Sequence, residues 1–536
     1  MTGSEVEKSE RGRSRRWVMA MLAIGLAMAV LLSLPKRAPG YMDAYYHVVI
    51  AQRIANGEGF TEPFVWNFLQ PPDGIPHPSH LYWSPLPSIL AAGSIFLFGD
   101  SYAASSLPFV LCAALLPWMT FLLARRIGAS EKEAAVSGVL TLLAGFYAAH
   151  WSSPDSFAPF ALAGCASLVF IASADRGRWY AMAAGLFAGL GHLARPDGML
   201  LAATGLLWIA WLGVRRNADR KAALRAGLWL TAGYFAVMAP WYARTWAAAG
   251  SPLAGGGLRA LWLRSYDELY AALRLANPGD YLAWGWGNIL ESKGSALLSN
   301  LVTLAGGLLF VMAPLAVWGW WANRRNPLLP PMAIHGGLLY LSMSLAFTFP
   351  GPRGSFFHSA GALLPFGFAA AFPGLRAAVA WFSARRERWD PQQAYRVFSV
   401  GFVTLSLMVG GLLYARGLGA RPPLLAAWNQ RDAVYAEAAQ WLAGNAAPTD
   451  RVMVNDPPGF HYFTGRECVA IPSDGLDALR VVREKYNARW LLVEHHHPAW
   501  LNAVYNGAPL PGWTSRHTFY DSTLGKAILY EWDEAR

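Results

Sequence analysis

Apolar residues along the chain gather into long runs separated by short polar turns. The runs fall at 17–34, 102–124, 133–151, 155–173, 179–194, 197–214, 226–245, 297–321, 328–348, 356–382 and 397–415. A helix needs about 20 such residues to cross a bilayer, so the pattern predicts a polytopic α-helical membrane protein with about eleven transmembrane helices. One further run, 84–98, is short, carries Pro85 and Pro87 and ends at Gly99-Asp100. It is read as interfacial or re-entrant. The run from Trp17 to Leu34 is long for a signal peptide, and the PKRAPG after it offers no small-residue cleavage site. A retained first helix is expected.

The polar segments sort by charge. RGRSRR near the N-terminus, ARRIGASEK at 124–132, DRGR at 175–178, VRRNADRK at 214–221, NRR at 323–325 and ARRER at 384–388 fall on one side once 84–98 is not counted as a span. Lys/Arg enrichment of this kind marks the cytoplasmic face. The N-terminus is therefore expected inside and the C-terminus outside, with Lys36 and Arg37 as exceptions. A long first loop (35–101), a second loop (246–296) and the tail would then be extracytoplasmic. The division expected is a transmembrane domain over 1–417 and a domain over 418–536. In the tail, AVYAEAAQWLAG and LDALRVVREKY read as helices, and DRVMVN, RWLLVEH and KAILYEW as strands. That is a small α/β domain outside the membrane, with a hinge expected at 421–430.

Composition agrees. Charged residues make up 14% of the chain, against about 25% in soluble proteins. The net charge of +11 sits in topology-signal clusters, so nucleic acid is not an expected partner, whereas membrane lipids are. Cys112, Cys165 and Cys468 are scattered, with no disulfide framework and no thiolate metal site.

The chemistry-bearing residues collect on the outer side. Asp43 follows the first span, with Tyr46 and His47 beside it, and VVIAQRIANG continues as a helix with one greasy face, expected to lie flat on the membrane. Asp155, in SSPDSF, opens a later span. Either aspartate would serve as a helix cap. Two carboxylates at one depth on different helices could also hold a divalent cation, magnesium or manganese, or pair a base with an electrostatic partner. His77 and His80 are spaced as possible further metal ligands. Arg195 and Arg353 lie in tight outer turns, where a planar guanidinium suits phosphate. His358 falls about one turn into the helix after Arg353. Asp197 is expected to shape its turn, and His495, His496 and His497 to be surface polarity. LRALWLRSYDELYAALRL, from Leu258, reads as a surface helix, with Trp262, Trp284 and Trp286 as interfacial anchors.

The first loop, with DAYYHVVIAQRI followed by FVWNFLQPPDGIPHPSHLYWSPL, resembles that of oligosaccharyltransferase catalytic subunits. The wider plan over 17–415 resembles the GT-C superfamily of membrane glycosyltransferases, which includes protein mannosyltransferases and aminoarabinose transferases. The resemblance implies a GT-C-like fold, with Asp43 as first-loop catalytic carboxylate, Asp155 as the second acidic residue, and Arg353 near a lipid-linked phosphate. The WWDYG-type motif of oligosaccharyltransferases is missing, and Asp155 stands alone rather than in a D-x-D or D-x-E pair.

The function expected is a membrane glycosyltransferase that moves a sugar from a polyprenyl-phosphate donor to an extracytoplasmic glycan, lipid or protein acceptor. The resemblance implies inversion. Asp43 and Asp155 are the catalytic and metal candidates; Arg353, Arg195, His47, His358 and Tyr46 are the substrate-binding candidates. Two rivals remain: en bloc glycan transfer to protein, and a lipid transporter or non-catalytic lipid-binding scaffold. A transporter should carry charges at mid-membrane in broken helices, whereas here they stay at one face.

Overall fold

Every apolar run read from the sequence contains helix, but the helices differ in length. The computed structural model describes residues 3–215, 220–253, 255–386, 389–421, 425–429, 431–521 and 525–533. Six of its helices are long and apolar enough to cross a membrane: Arg15–Ser33, Tyr102–Ile127, Pro196–Val214, Arg220–Ala249, Leu364–Ser383 and Pro391–Gly417. A seventh span is formed if Trp286–Gly307 and Met312–Ala322, bent by 89°, count as one. The other apolar runs read from the sequence hold shorter or broken helices. Breaks within the runs account for the difference. Glu131–Leu142 stops ahead of Gly145, which has φ +51° and packs against the Gly306 carbonyl. Leu309 and Phe310, both at φ +57°, turn the chain between the two halves of the bent pair.

Leu364–Ser383 is the central helix and is mostly buried, whereas Arg15–Ser33 and Pro391–Gly417 are peripheral. Small residues set the closest approaches. A Cβ on Gly185 would lie 1.9 Å from the Leu230 carbonyl oxygen, so Arg178–Ala194 and Arg220–Ala249 pack backbone to backbone. The loops separate by chemistry. Trp17 donates to Glu131 (3.0 Å), Arg376 pairs with Glu133, and Asn326 donates to the Arg126 carbonyl (2.8 Å). These contacts bring several basic clusters together. The loops carrying Asp43, Asp155, Arg195 and His358 meet one another instead.

The first loop departs from its expected form. Met42–Ala55 is a helix, but Ala44–Ala51 are all buried. Leu86–Phe98 and the tail helix Pro457–Thr464 pack against it, so its apolar face is enclosed by protein. The short helix Leu86–Phe98 is not of spanning length, and it ends in exposed Phe96, Leu97 and Phe98.

The tail forms a six-stranded sheet. Its order is Phe64–Val65, Cys468–Ala470, Arg451–Val454, Ala488–Val493, Gly525–Trp532, Trp513–Asp521. The first four strands run parallel, and the last two are antiparallel additions. The edge strand Phe64–Val65 belongs to the first loop. One apolar core holds Val65, Phe68 and Ile75 together with Val469, Leu491 and Ile528, so loop and tail share both sheet and core. The helices Arg431–Asn445 and Leu476–Tyr486 occupy the expected positions. Pro457–Thr464 and Trp513–Asp521 were not foreseen.

Two further expectations are corrected. Of the expected hinge at 421–430, positions 422–424 and 430 lie outside the described residues. The described end is fastened: Trp428 donates to the Ala38 carbonyl (3.1 Å), Asn429 donates to that of Pro35 (2.8 Å) and accepts from Arg37 N–H (2.9 Å). The expected surface helix from Leu258 is a series of short turns, Ala260–Trp262 and Tyr266–Tyr270. Glu268 folds back to accept from the Arg264 backbone N–H (2.7 Å) and guanidinium (2.8 Å). The Leu269 carbonyl bonds to Phe68 of the first loop (2.9 Å). These partners, one of them from the first loop, replace the ladder of a regular helix.

Candidate active site

Asp43 stands in the first turn of Met42–Ala55, whose N-cap is Tyr41 with no side-chain cap bond. Its carboxylate is therefore not spent on capping. Asp155 lies ahead of Phe157–Ile171, whose N-cap is Ser156, and one of its oxygens accepts the Ser156 N–H. Its other oxygen accepts the Tyr41 hydroxyl at 2.8 Å and lies 2.9 Å from His358 Nε2. His358 Nε2 is also 3.8 Å from Asp43 Oδ2. Asp155 is buried, while the Asp43 side chain is partly open. Residues 203 positions apart are thus in direct contact.

The donor set suits a divalent cation. Ligand atoms of Asp43, Asp155 and His358 all lie within 4.8 Å of one another. The other ring nitrogen of His358, Nδ1, sits 2.7 Å from the Gly354 carbonyl. Nδ1 must donate there, because a carbonyl only accepts. Nε2 then points at two carboxylates carrying either a proton or a lone pair. A proton there makes His358 an ion-pair partner of Asp155; a lone pair there could face a bound cation or a proton on Asp43, and the backbone-anchored Nδ1 is the usual support of a metal-ligating histidine. His47 Nε2 lies 4.0 Å from Asp155 at the edge of the group. Its Nδ1 bonds Ser88 (2.9 Å), which bonds His80 Nε2 (3.0 Å). His77 is turned away onto Glu62 (3.3 Å) and the Phe64 carbonyl (3.0 Å). Neither His77 nor His80 belongs to the three-residue group.

Electrostatics separate the two aspartates. Burial, and next the negative Asp155, push the Asp43 carboxyl up to about 7. Burial also works against ionised Asp155, but the charge and hydrogen bond of His358, with His47 and the Ser156 N–H, hold it far below the usual carboxylate range. Burial pushes His47 down to about 4, so it is neutral at physiological pH.

Asp43 and His358 open onto a cavity of about 320 Å³. Its wall includes Trp66, Tyr82 and Trp83 from the first loop, Trp241 and Tyr242 from the long helix Arg220–Ala249, and Met199, Leu200 and Phe347 as apolar lining. Trp66 and Trp83 are stacked at 3.9 Å. Arg353 lies in the turn Gly351–Ser355, lines the cavity, and holds its guanidinium over the Tyr266 ring (5.0 Å). Arg195 also reaches the wall, with its Nε on Asp197 (3.1 Å) and Ser359 (2.9 Å) and one bond from each terminal nitrogen, to Ser156 (3.3 Å) and the Ser355 carbonyl (3.3 Å). Arg195 with Asp197 therefore ties the turns together. Tyr46 does not reach the cavity; its hydroxyl accepts the His80 backbone N–H (2.7 Å) behind the wall. The tail's His497 bonds the Glu494 carbonyl and Asn502, away from this site.

Sequence reasoning missed Tyr41, Trp83 and Lys36. Tyr41 had a signal, its adjacency to Asp43. The other two had none, since an aromatic in a loop and a lysine past a span are ordinary.

The family described as dolichyl-phosphate-mannose-protein mannosyltransferase matches residues 77–242, a stretch that holds Asp155 and Arg195. No curated protein is similar in sequence. Among solved structures, the archaeal oligosaccharyltransferase AglB from Archaeoglobus fulgidus, in complex with an inhibitory peptide and a dolichol-phosphate, is similar with a TM-score of 0.60 at 15% identity. That similarity covers 96% of this chain and 74% of AglB. ArnT from Cupriavidus metallidurans, bound to undecaprenyl phosphate, gives 0.56 at 15% identity over 96% of this chain and 97% of ArnT. The mycobacterial arabinofuranosyltransferase AftD gives 0.51 at 15% identity, over 96% of this chain but 41% of AftD. The chain thus shares its fold with these solved structures, matches the mannosyltransferase family model over 77–242, and carries several helices long and apolar enough to cross a membrane.

Proposed function

We propose that the enzyme transfers a single sugar from a polyprenyl-phosphate donor to an extracytoplasmic acceptor, with inversion. The observation that carries this reading is one cavity shared by Asp43, His358 and Arg353. The acceptor hydroxyl oxygen attacks the anomeric carbon, the bond from that carbon to the phosphate oxygen breaks, and the proton passes to Asp43. Arg353 neutralises the charge that grows on the departing polyprenyl phosphate. Asp155 orients His358, which faces Asp43 at 3.8 Å. With Asp43 they would hold a magnesium or manganese ion, which when bound supplies positive charge against the phosphate.

Inversion has support in the site's own bonding. The oxygens of Asp155 are engaged by Tyr41, His358 and Ser156, and Asp197 is paired with Arg195. Among the described residues lining the cavity, Asp43 is the one carboxylate left open. With Asp43 acting as base for the acceptor, no second open carboxylate among those residues is left to act as a covalent nucleophile. A cavity of about 320 Å³ stands at the small end of ligand pockets, which suits one sugar better than a whole glycan. The similarity of AglB and ArnT, each solved with a polyprenyl-type phosphate, supports the donor class.

The proposed orientation places the basic loops in the cytoplasm and the site, with the tail over 418–536, outside. The shorter helices, such as Phe157–Ile171, would complete further crossings together with their flanking turns, toward about eleven. Purified protein in proteoliposomes tests the function. A labelled polyprenyl-monophosphate sugar should release polyprenyl phosphate and give a product of inverted anomeric configuration. Turnover only with a diphosphate-linked glycan would favour the en bloc rival.

A further inference from the structure

Lys36 breaks the charge pattern of the outer face, and the structure shows why. It is 5% exposed, three residues past the end of the first helix. Its Nζ donates to the Ala149 carbonyl (2.9 Å) and the Ser152 hydroxyl (2.6 Å), and it lies over the Trp428 ring at 5.4 Å. Ser152 is three residues before Asp155, and Lys36 is seven before Asp43. The short segment between Lys36 and Asp43 is gripped from its other side. Trp428 and Asn429 bond the carbonyls of Ala38 and Pro35 and the N–H of Arg37. Gly40, at φ +82°, leaves room for the indole, which a Cβ there would approach to 2.3 Å. Tyr41, at the end of this segment, stacks edgewise on Trp428 (5.5 Å) and donates to Asp155.

We infer that Lys36 is a positioning residue: it ties the start of the first loop to the turn carrying Asp155 and so sets the separation of the two aspartates. The segments that bear them are more than 100 residues apart along the chain, and Lys36 joins them through two hydrogen bonds. The residues after the last helix complete the clamp, so the segment at 428–429 is part of the site's scaffold. This inference rests on the catalytic reading of Asp43 given above.

The test compares full-length wild type, Lys36→Met, Lys36→Arg, Ser152→Ala and Asp43→Asn in proteoliposomes with labelled polyprenyl-monophosphate sugar, reading kcat, donor KM and thermal midpoint. Displacement of a reacting group by about 1 Å costs up to about 100-fold. Lys36→Met should lower kcat by about 10- to 100-fold with donor KM within about threefold, because Arg353 is untouched. Lys36→Arg, still a donor, should recover part of the loss. Ser152→Ala should give a smaller loss in the same direction, and stands in if Lys36→Met does not fold. The inference is overturned if Asp43→Asn is inactive while Lys36→Met, or in its place Ser152→Ala, keeps wild-type kcat. It is overturned as well if kcat and thermal midpoint fall while donor KM rises with them and Lys36→Arg recovers nothing. Retained turnover in Asp43→Asn would instead remove the catalytic reading beneath it.

Discussion

Two clusters of acid, histidine and tyrosine involve residues of the first loop. One is Asp43, Asp155, His358 and Tyr41. The other is Glu62, His77 and Tyr46, where His77 Nε2 lies 3.3 Å from Glu62. In both, burial is the largest cause that raises a carboxyl, Asp43 to about 7 and Glu62 to about 8. The difference is access and company. Asp43 faces a second carboxylate and a cavity of about 320 Å³. Glu62 faces a space of about 30 Å³, room for about one water, and is eased by Tyr46 and Arg244. Like residue types with like perturbations therefore do different work. A shifted carboxyl points to chemistry only where a substrate can reach it.

The comparison breaks most clearly at Asp43. Asp43→Asn should cut donor turnover by about 1000-fold, as loss of a general base does, measured as polyprenyl phosphate released. Arg353→Ala should cost about 100-fold in kcat, the scale for removing one donor to a developing anion. His358→Ala should weaken binding of manganese by about 10- to 100-fold, the scale for metal-site support, read by titration of the purified protein. Glu62→Gln should leave turnover within about threefold, since a surface or sealed position outside the machinery adds little.

Glu62 also gives the comparison a stability signature. Its folded carboxyl is raised to about 8 from the ordinary 4.5. The stability carried by the protonated form is present below about 4.5 and is lost as pH rises through about 8. Thermal midpoints should show Glu62→Gln gaining on wild type between those limits. No such gain is expected if Glu62 is ionised throughout.

The sequence carried the helical runs and most tail elements, because hydrophobic period is a local signal. It did not carry the helix lengths. Breaks at Gly145 and at Leu309–Phe310 depend on packing against other helices. The strand Phe64–Val65 is two residues long, and its partner begins at Cys468; no local pattern announces such a pairing. The same holds for the site. Asp43 and Asp155 could be named from their turns, but His358 joins them only through the turn after Gly351. Arg195 read as a phosphate ligand because an arginine's partners are invisible in one dimension. Lys36 read as a topology exception because a buried lysine and a solvated one are spelled alike.

The most direct measurement is the pH dependence of single-turnover donor cleavage in wild type and Asp155→Asn. A base must be ionised to act, so the wild-type rate should rise with pH through about 7, the value set for Asp43 by burial and by Asp155. Removing the Asp155 charge removes one of those causes, so the rising limb should move to lower pH while the maximal rate falls. A limb that stays in place would show that the two aspartates do not share a field, and that Asp43 is not the group whose ionisation drives transfer.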